Sequence, residues 1–339
     1  LRAITGGDVQ LFRGSEGGAH FRGVQTCGSV WACPVCSEKI SRLRATELTE
    51  AIENWGGQTI GVTLTFPHSR HDDLGELIER QAKARQHLAS AYRYKALRAQ
   101  FRATERHGGG TVRASEVTHA KPGTPNANGW HPHSHEAWFS SRTDVTTEEV
   151  AAFEAELGAL WLKACLRAGL GAPTEERGVT ASLESSASYV SKWGLGPELT
   201  RSDIKSGNGN RVTPWELLQI AHDKTSKHSK QAGELFRTYA ENYRGRRQLS
   251  YSRGLKGILG VGEKTDSELA NSEQVATEVA AETEATHVLS LSLGDWHAVV
   301  ACEAQASVLA SCESGGAEAV EMLLVSLRRR ARRSYLSSA

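Results

Sequence analysis

Residues 110–139 read GTVRASEVTHAKPGTPNANGWHPHSHEAWF. The two ends alternate with the two-residue period of a strand, and the Pro-, Gly- and Asn-rich middle can continue neither, so the stretch predicts a β-hairpin. Residues two apart on a strand project from one face, which groups His131, His133 and His135, flanked by Trp130 and Trp138. A hairpin symmetric about residues 124 and 125 sets Glu116 directly opposite His133. The two side chains then share a face, with Cβ atoms about 4.5–5.5 Å apart. Three alternating histidines with a carboxylate across the ladder predict a divalent-metal site, with His131 as a further candidate ligand. Two imidazoles and one carboxylate leave coordination positions open, which suits Mg²⁺ or Mn²⁺ acting at a phosphate.

Working outward, TIGVTLTF at 59–66 is β-branched and alternating, while 38–55 and 73–106 carry helical spacing and strong helix formers. Downstream, a helix opens at Asp144 or Thr147 with Glu148 and Glu149 in its first turn. A short strand over 179–183 follows, then a helix through Tyr189. The central order β, α, β, β, α, β is the split βαβ arrangement of ferredoxin-like and RRM-like folds. The predicted class is therefore α+β, an antiparallel sheet with helices on one face.

Two further clusters carry chemistry. In SYVSKW, Tyr189 and Lys192 stand three apart on one face of the expected helix. A tyrosine can act as a nucleophile, but a phenol pKa of about 10 leaves roughly one phenolate in a thousand at neutral pH, so a cation must assist it. Lys192 is placed to hold a phosphate or to steady developing charge. In CGSVWACPVC, Cys27, Cys33 and Cys36 form a knuckle whose spacing predicts structural Zn²⁺, with His20 as the fourth ligand. By contrast, GILGVGEKT at 257–265 only imitates a phosphate-binding loop, because Glu263 separates its last glycine from Lys264.

Charge is unevenly spread. From Tyr189 to Lys256 there are 13 Lys/Arg and 6 Asp/Glu, whereas 263–286 holds one lysine against seven acids. The first block predicts phosphate contacts, above all through Arg244, Arg246, Arg247, Arg253 and Lys256, with Arg201, Lys205 and Arg211 upstream. The second predicts a solvated linker. Beyond it, residues 288–339 predict a short strand and two helices ending in RRRARR. No run of 18 apolar residues occurs, so no membrane partner is expected. Six cysteines in 339 residues are too few for a disulfide scaffold, which predicts a reducing, cytoplasmic setting. The chain begins at Leu1 and holds a single methionine, Met322, so its natural start is expected upstream.

Taken in order, CGSVWACPVCSEKI, GVTLTF, VRASEVTH, GWHPHSHEAWF, YVSKW, ELTRSDIKSGNGNRVTPWELL, GRRQLSYSRGLK and EKTDSELA resemble the plasmid rolling-circle replication initiators of the HUH endonuclease superfamily, in the branch found on actinobacterial plasmids. The resemblance implies metal ligation by His133 and His135, with Glu116 as third ligand. It implies attack by Tyr189 on one phosphodiester of single-stranded or cruciform origin DNA, leaving a 5′-phosphotyrosine and a free 3′-hydroxyl for the host polymerase, with a host helicase as further partner. Glu184 is the candidate base for activating water. The implied division is a Cys-rich segment and helix at 1–56, an endonuclease domain at 57–195, a basic extension at 196–262, an acidic linker at 263–287 and a small domain at 288–339. The competing readings are an HUH transposase or relaxase, and a non-catalytic DNA-binding relative. Ser134 and Glu136 stand where the family carries apolar residues, which predicts a locally wetter strand or a degenerate copy. Should Tyr189 not be the nucleophile, Tyr239, Tyr243 and Tyr251 are next in line.

Overall fold

The computed structural model describes residues 8–14, 18–24, 27–125, 127–184, 210–223, 225–270, 286–302 and 304–337. Its strands, in chain order, are β1 (Val9–Arg13), β2 (Ala19–Arg22), β3 (Gln58–Leu64), β4 (Gly110–Ala120), β5 (Trp130–Ser140), β6 (Val179–Glu184), β7 (Arg211–Val212), β8 (Leu249–Tyr251) and β9 (Thr286–Leu291). The helices are α1 (Pro34–Glu53), α2 (Leu74–Ser90), α3 (Tyr92–Gln100), α4 (Thr147–Arg167), α5 (Glu175–Gly178), α6 (Pro214–His222), α7 (Ser229–Tyr243), α8 (Leu255–Leu259), α9 (Asp266–Ala270), α10 (Leu293–Ala301) and α11 (Gln305–Ser337). The fold is mixed, with antiparallel sheets and helices, and divides into two units, one of Leu1–Gly28 with Asp266–Ala339 and one of Ser29–Thr265.

In the larger unit, β6, β3, β5 and β4 lie side by side in that order, with β7 and β8 added along β4. Every pairing is antiparallel. Helices α2 and α4 form the two long crossovers, and each starts on a side-chain cap. Asp73 accepts from the Glu76 amide, and Thr146 and Glu149 form a reciprocal capping box. The expected single helix over 73–106 is two helices, because Ala91 turns extended between α2 and α3.

The alternation expected of the hairpin holds, and the two faces of β5 bury different things. On one face Trp138 lies fully buried between the Tyr94 and Phe153 rings, with Phe153 also against Phe101. Aromatic packing of this kind is worth about 3–5 kcal/mol per ring against alanine. On the other face, Val112, Ala114, Ala137 and Phe139 pack against Ala45, Leu48 and Ile52 of α1 and against Leu249 and Leu255. The sheet is thus covered on both faces, not on one as the sequence suggested. Helix α1 carries an apolar row that residues 1–56 alone could not bury.

The strand is not wet at Ser134 and Glu136, which are only 1% and 3% exposed. Arg85 of α2 reaches under the sheet, donating from Nη1 to Ser134 Oγ at 2.7 Å and pairing through Nη2 with the Glu136 carboxylate. The Trp138 indole donates to the other Glu136 oxygen at 3.0 Å. Burial alone would raise the Glu136 pKa, but the Arg85 and Arg113 charges outweigh it and hold the carboxyl below its ordinary range. Both polar residues are therefore buried and partnered, which is how such groups remain in a core.

In the smaller unit β1 lies between β2 and β9, both antiparallel to it. Val9, Leu11 and Leu291 pack with Trp296, Val299, Val308, Val320 and Leu324 from α10 and α11, and Phe21 meets the Trp296 ring edge-on at 5.0 Å. The expected strand of the tail is present, but α11 is broken at Gly316, so three helical segments follow it in place of two, and the strand shares its sheet with the amino-terminal strands. The 1–56 segment is accordingly split between the two units, and 266–270 of the expected linker is helical. Residues 271–285 lie outside the described residues.

Candidate metal centre

Register brings the site together. Glu116 of β4 pairs with His133 of β5, as the hairpin symmetry predicted, and Thr63 of β3 pairs with His135. All four side chains project from the face that α1 covers only farther along. Ligand atoms of Glu116, His133 and His135 lie within 4.8 Å of one another. Glu116 Oε2 is 3.2 Å from His133 Nε2 and 3.3 Å from His135 Nε2.

The outer nitrogens of the two rings fix what the inner ones can do. His133 Nδ1 sits 3.1 Å from the backbone oxygen of His131, which can only accept, so the ring proton is on Nδ1 and Nε2 presents a lone pair. That lone pair faces a carboxylate oxygen. Two acceptors at 3.2 Å repel unless a positive charge lies with them, either a second ring proton or a cation. His135 Nδ1 meets Thr63 Oγ1 at 3.0 Å, an arrangement that also frees Nε2 for a metal. Burial would raise the Glu116 pKa, yet the neighbouring His133 and His135 rings outweigh it and hold the carboxyl well below the ordinary range. An ionised carboxylate with two imidazole nitrogens on one side is a donor set that fits an octahedral divalent ion with positions left open.

His131 is placed differently. Its ring continues the row, 5.0 Å from that of His133, but Nδ1 turns to His68 Nδ1 at 3.1 Å, and the residue is outside the Glu116 cluster. Arg211, expected among the DNA contacts, lies on β7 with Nε donating to Thr118 Oγ1 at 2.8 Å and Nη2 3.4 Å from His68 Nε2. Sequence reasoning missed Thr63, His68 and Arg85. Thr63 lay within reach of the strand alternation in TIGVTLTF. Nothing local marked His68 or Arg85.

Tyr189, Lys192, Arg201 and Lys205 lie outside the described residues, and Glu184 is described only in its backbone, as the last residue of β6. The substitute nucleophiles are poorly suited. Tyr239 and Tyr243 are almost fully buried, burial raises the pKa of both, and it pushes Tyr251 up to about 12. Arg244, Arg246, Arg247 and Arg253 are exposed, whereas Lys256 pairs with Glu263 at 3.1 Å. Residues 255–259 are helical, which removes the P-loop imitation.

The thiols of Cys27, Cys33 and Cys36 fall within 4.8 Å of one another. Pro34 opens α1 directly after Cys33, so the helix start draws Cys36 back toward the preceding turn. His20 lies on β2 with its ring stacked on Phe12, and it is outside this cluster.

The chain is similar to a curated protein from Streptomyces lividans named Protein rep, with 29% identity over 337 residues that cover 82% of this chain and 73% of the relative. It is also similar to a Neomycin resistance protein from Streptomyces cyanogenus, 30% identical over 149 residues, which cover 38% of this chain and 33% of that relative. No family model matches the chain. No solved structure matches it. Among the described residues no helix is long and apolar enough to cross a membrane.

Proposed function

We propose that this protein is a plasmid replication initiator that cuts and rejoins one DNA strand at the plasmid origin by the HUH reaction. The observation that carries the reading is the Glu116 carboxylate facing the Nε2 atoms of His133 and His135 from the neighbouring strand. The similarity to Protein rep supports it, as does the strand order β6, β3, β5, β4 with helical crossovers, the order of a ferredoxin-like split βαβ unit.

In this reading Glu116, His133 and His135 hold Mg²⁺ or Mn²⁺. When bound, the ion supplies positive charge at the scissile phosphate. Tyr189 attacks the phosphorus, forming a bond from its phenolic oxygen as the bond to the 3′ oxygen breaks. The phenolic proton is lost and the departing 3′ oxygen is protonated, giving a 5′-phosphotyrosine and a free 3′-hydroxyl. One ester replaces another, so no nucleotide triphosphate is consumed. Lys192 steadies the charge on the phosphate, and Glu184 at the end of β6 is the base for the later water or hydroxyl step. Exposed Arg244, Arg246, Arg247 and Arg253 track the backbone of single-stranded or cruciform origin DNA. The 3′-hydroxyl serves the host polymerase as a primer end while a host helicase unwinds the duplex, and Cys27, Cys33 and Cys36 hold a structural Zn²⁺.

The test uses labelled single-stranded oligonucleotides tiling the replicon that carries the gene, incubated with protein and Mn²⁺ and resolved on a denaturing gel. One oligonucleotide should yield a covalent adduct that is lost in Tyr189→Phe and with chelator. Absence of any adduct with wild type across metals would leave a DNA-binding protein without strand-cleaving activity.

A further inference from the structure

His131 continues the histidine row, but hydrogen-bond logic separates it from the metal ligands. Each Arg211 nitrogen can only donate, so the contact of Nη2 with His68 Nε2 makes that ring nitrogen an acceptor. A neutral His68 then carries its proton on Nδ1. His68 Nδ1 lies 3.1 Å from His131 Nδ1, and it is also 3.4 Å from the Phe66 backbone oxygen, a second acceptor. His68 is therefore the donor, His131 Nδ1 is the acceptor, and the His131 proton resides on Nε2. No described residue accepts from that Nε2–H. The far end of the line is fixed, since Arg211 Nε donates to Thr118 Oγ1 and Nη2 also reaches the Gly129 backbone oxygen at 3.3 Å. Thr118 is the cross-strand partner of His131 itself, so both ends of the line are tied to one rung of the β4–β5 ladder.

We propose that His131 is a phosphate-binding residue, not a metal ligand, and that the line from Arg211 through His68 locks its ring so that Nε2–H donates to a backbone phosphate oxygen of DNA seated at the metal centre. The proposal rests on the reading of this centre as a DNA-cleaving site. The donor is pre-oriented on the same sheet face as the triad, one ring beyond His133. A metal ligand at this position would instead need a lone pair on the nitrogen that carries the proton. His68 is a positioning residue within the line, acting through His131. Donors preset toward a reacting phosphate are worth about 10²–10³ in rate when removed singly.

The experiment combines three readouts on the full chain. Long-range proton–nitrogen NMR on histidine-labelled protein reads the tautomers, with His131→Gln assigning the resonance; the expected result is Nδ1–H on His68 and Nε2–H on His131. Calorimetric titration with Mn²⁺ should give a Kd for His131→Leu within about threefold of wild type, while adduct formation on the cleaved oligonucleotide slows by about tenfold or more. His131→Gln, whose amide places an N–H near the imidazole Nε2 position, should recover much of that rate, and His68→Ala should slow cleavage without loss of Mn²⁺ affinity. A His131 proton on Nδ1, a Mn²⁺ Kd weakened more than tenfold in His131→Leu, or unchanged cleavage in that variant would each overturn the assignment. If wild type forms no adduct at all, the reading of the centre fails instead. The tautomers, together with the affinity of His131→Leu for the same oligonucleotides, then decide the phosphate contact separately.

Discussion

Thr63 and His135 stand opposite one another across β3 and β5, and the threonine hydroxyl meets the ring Nδ1 at 3.0 Å. The contact lies behind the candidate metal ligands, on the side of the ring away from Glu116. Outer contacts of this kind typically change metal affinity by about 10–100-fold. Thr63→Val keeps the strand-favouring shape and removes the hydroxyl, so Mn²⁺ affinity should fall by that factor with the melting temperature nearly unchanged. Titration calorimetry and a thermal scan check both halves. An unaltered Kd would mean that the ring is oriented by something else.

Arg85 contacts both Ser134 and Glu136 beneath β5 through the two arms of one guanidinium. Arg85→Met takes the ion-pair partner from a buried carboxylate, leaving it the Trp138 indole and the Arg113 charge, and should cost about 3 kcal/mol of unfolding free energy. Adding Glu136→Leu should restore part of that loss, because the stranded charge goes with it. Urea unfolding of the two singles and the double variant measures the coupling, and strictly additive losses would show that the two residues do not act as a pair.

The same carboxyl gives a pH dependence. Its folded pKa lies below the ordinary glutamate value, so its stabilising contribution is complete above that value and is lost as pH falls through the folded one. Unfolding free energies of wild type and Glu136→Gln should therefore be far apart at pH 7 and converge as pH drops below about 4. A constant gap down the acid range would contradict a depressed Glu136.

Arg244, Arg246, Arg247 and Arg253 are exposed, while Lys256 is engaged by Glu263. If each arginine neutralises one phosphate, they contribute about −2.8 to −3.6 to the slope of log affinity against log salt. Arg244→Ala and Arg253→Ala should each flatten the slope by roughly 0.7–0.9, and Lys256→Ala should flatten it less. Fluorescence anisotropy on a labelled oligonucleotide at several salt concentrations reads this directly.

Native mass spectrometry of protein purified without chelator should show one Zn²⁺, lost in Cys33→Ser or Cys36→Ser, since the three thiols already stand within ligand distance of each other. A wild-type mass matching the metal-free chain would remove the zinc assignment.

How far the sequence reaches depends on distance along the chain. The hairpin register needed only residues 110–139, and loop symmetry alone set Glu116 against His133. The capped start of α4 was equally local, since Thr146 and Glu149 are three apart. Ser134 and Glu136 misled because their partner lies on α2, 49 and 51 residues away, and no periodicity marks such a pair. His68 has the same difficulty, being 63 residues from His131 and 143 from Arg211. Helix α1 looked like part of a separate Cys-rich segment because its apolar partners, Val112, Ala137 and Phe139, come far later.

The union of β1 with β9 fixes an order of assembly on the ribosome. Val9 and Leu11 emerge early but gain their second strand only once Leu291 has been made. Glu116, His133 and His135 are by then long synthesised, so the larger unit can mature while the amino-terminal strands wait. A message cut short before residue 286 would deliver the sheet of the larger unit together with an unpaired, apolar strand edge. Such edges invite aggregation, and the abortive product would announce itself to quality control through its first strand, not its last.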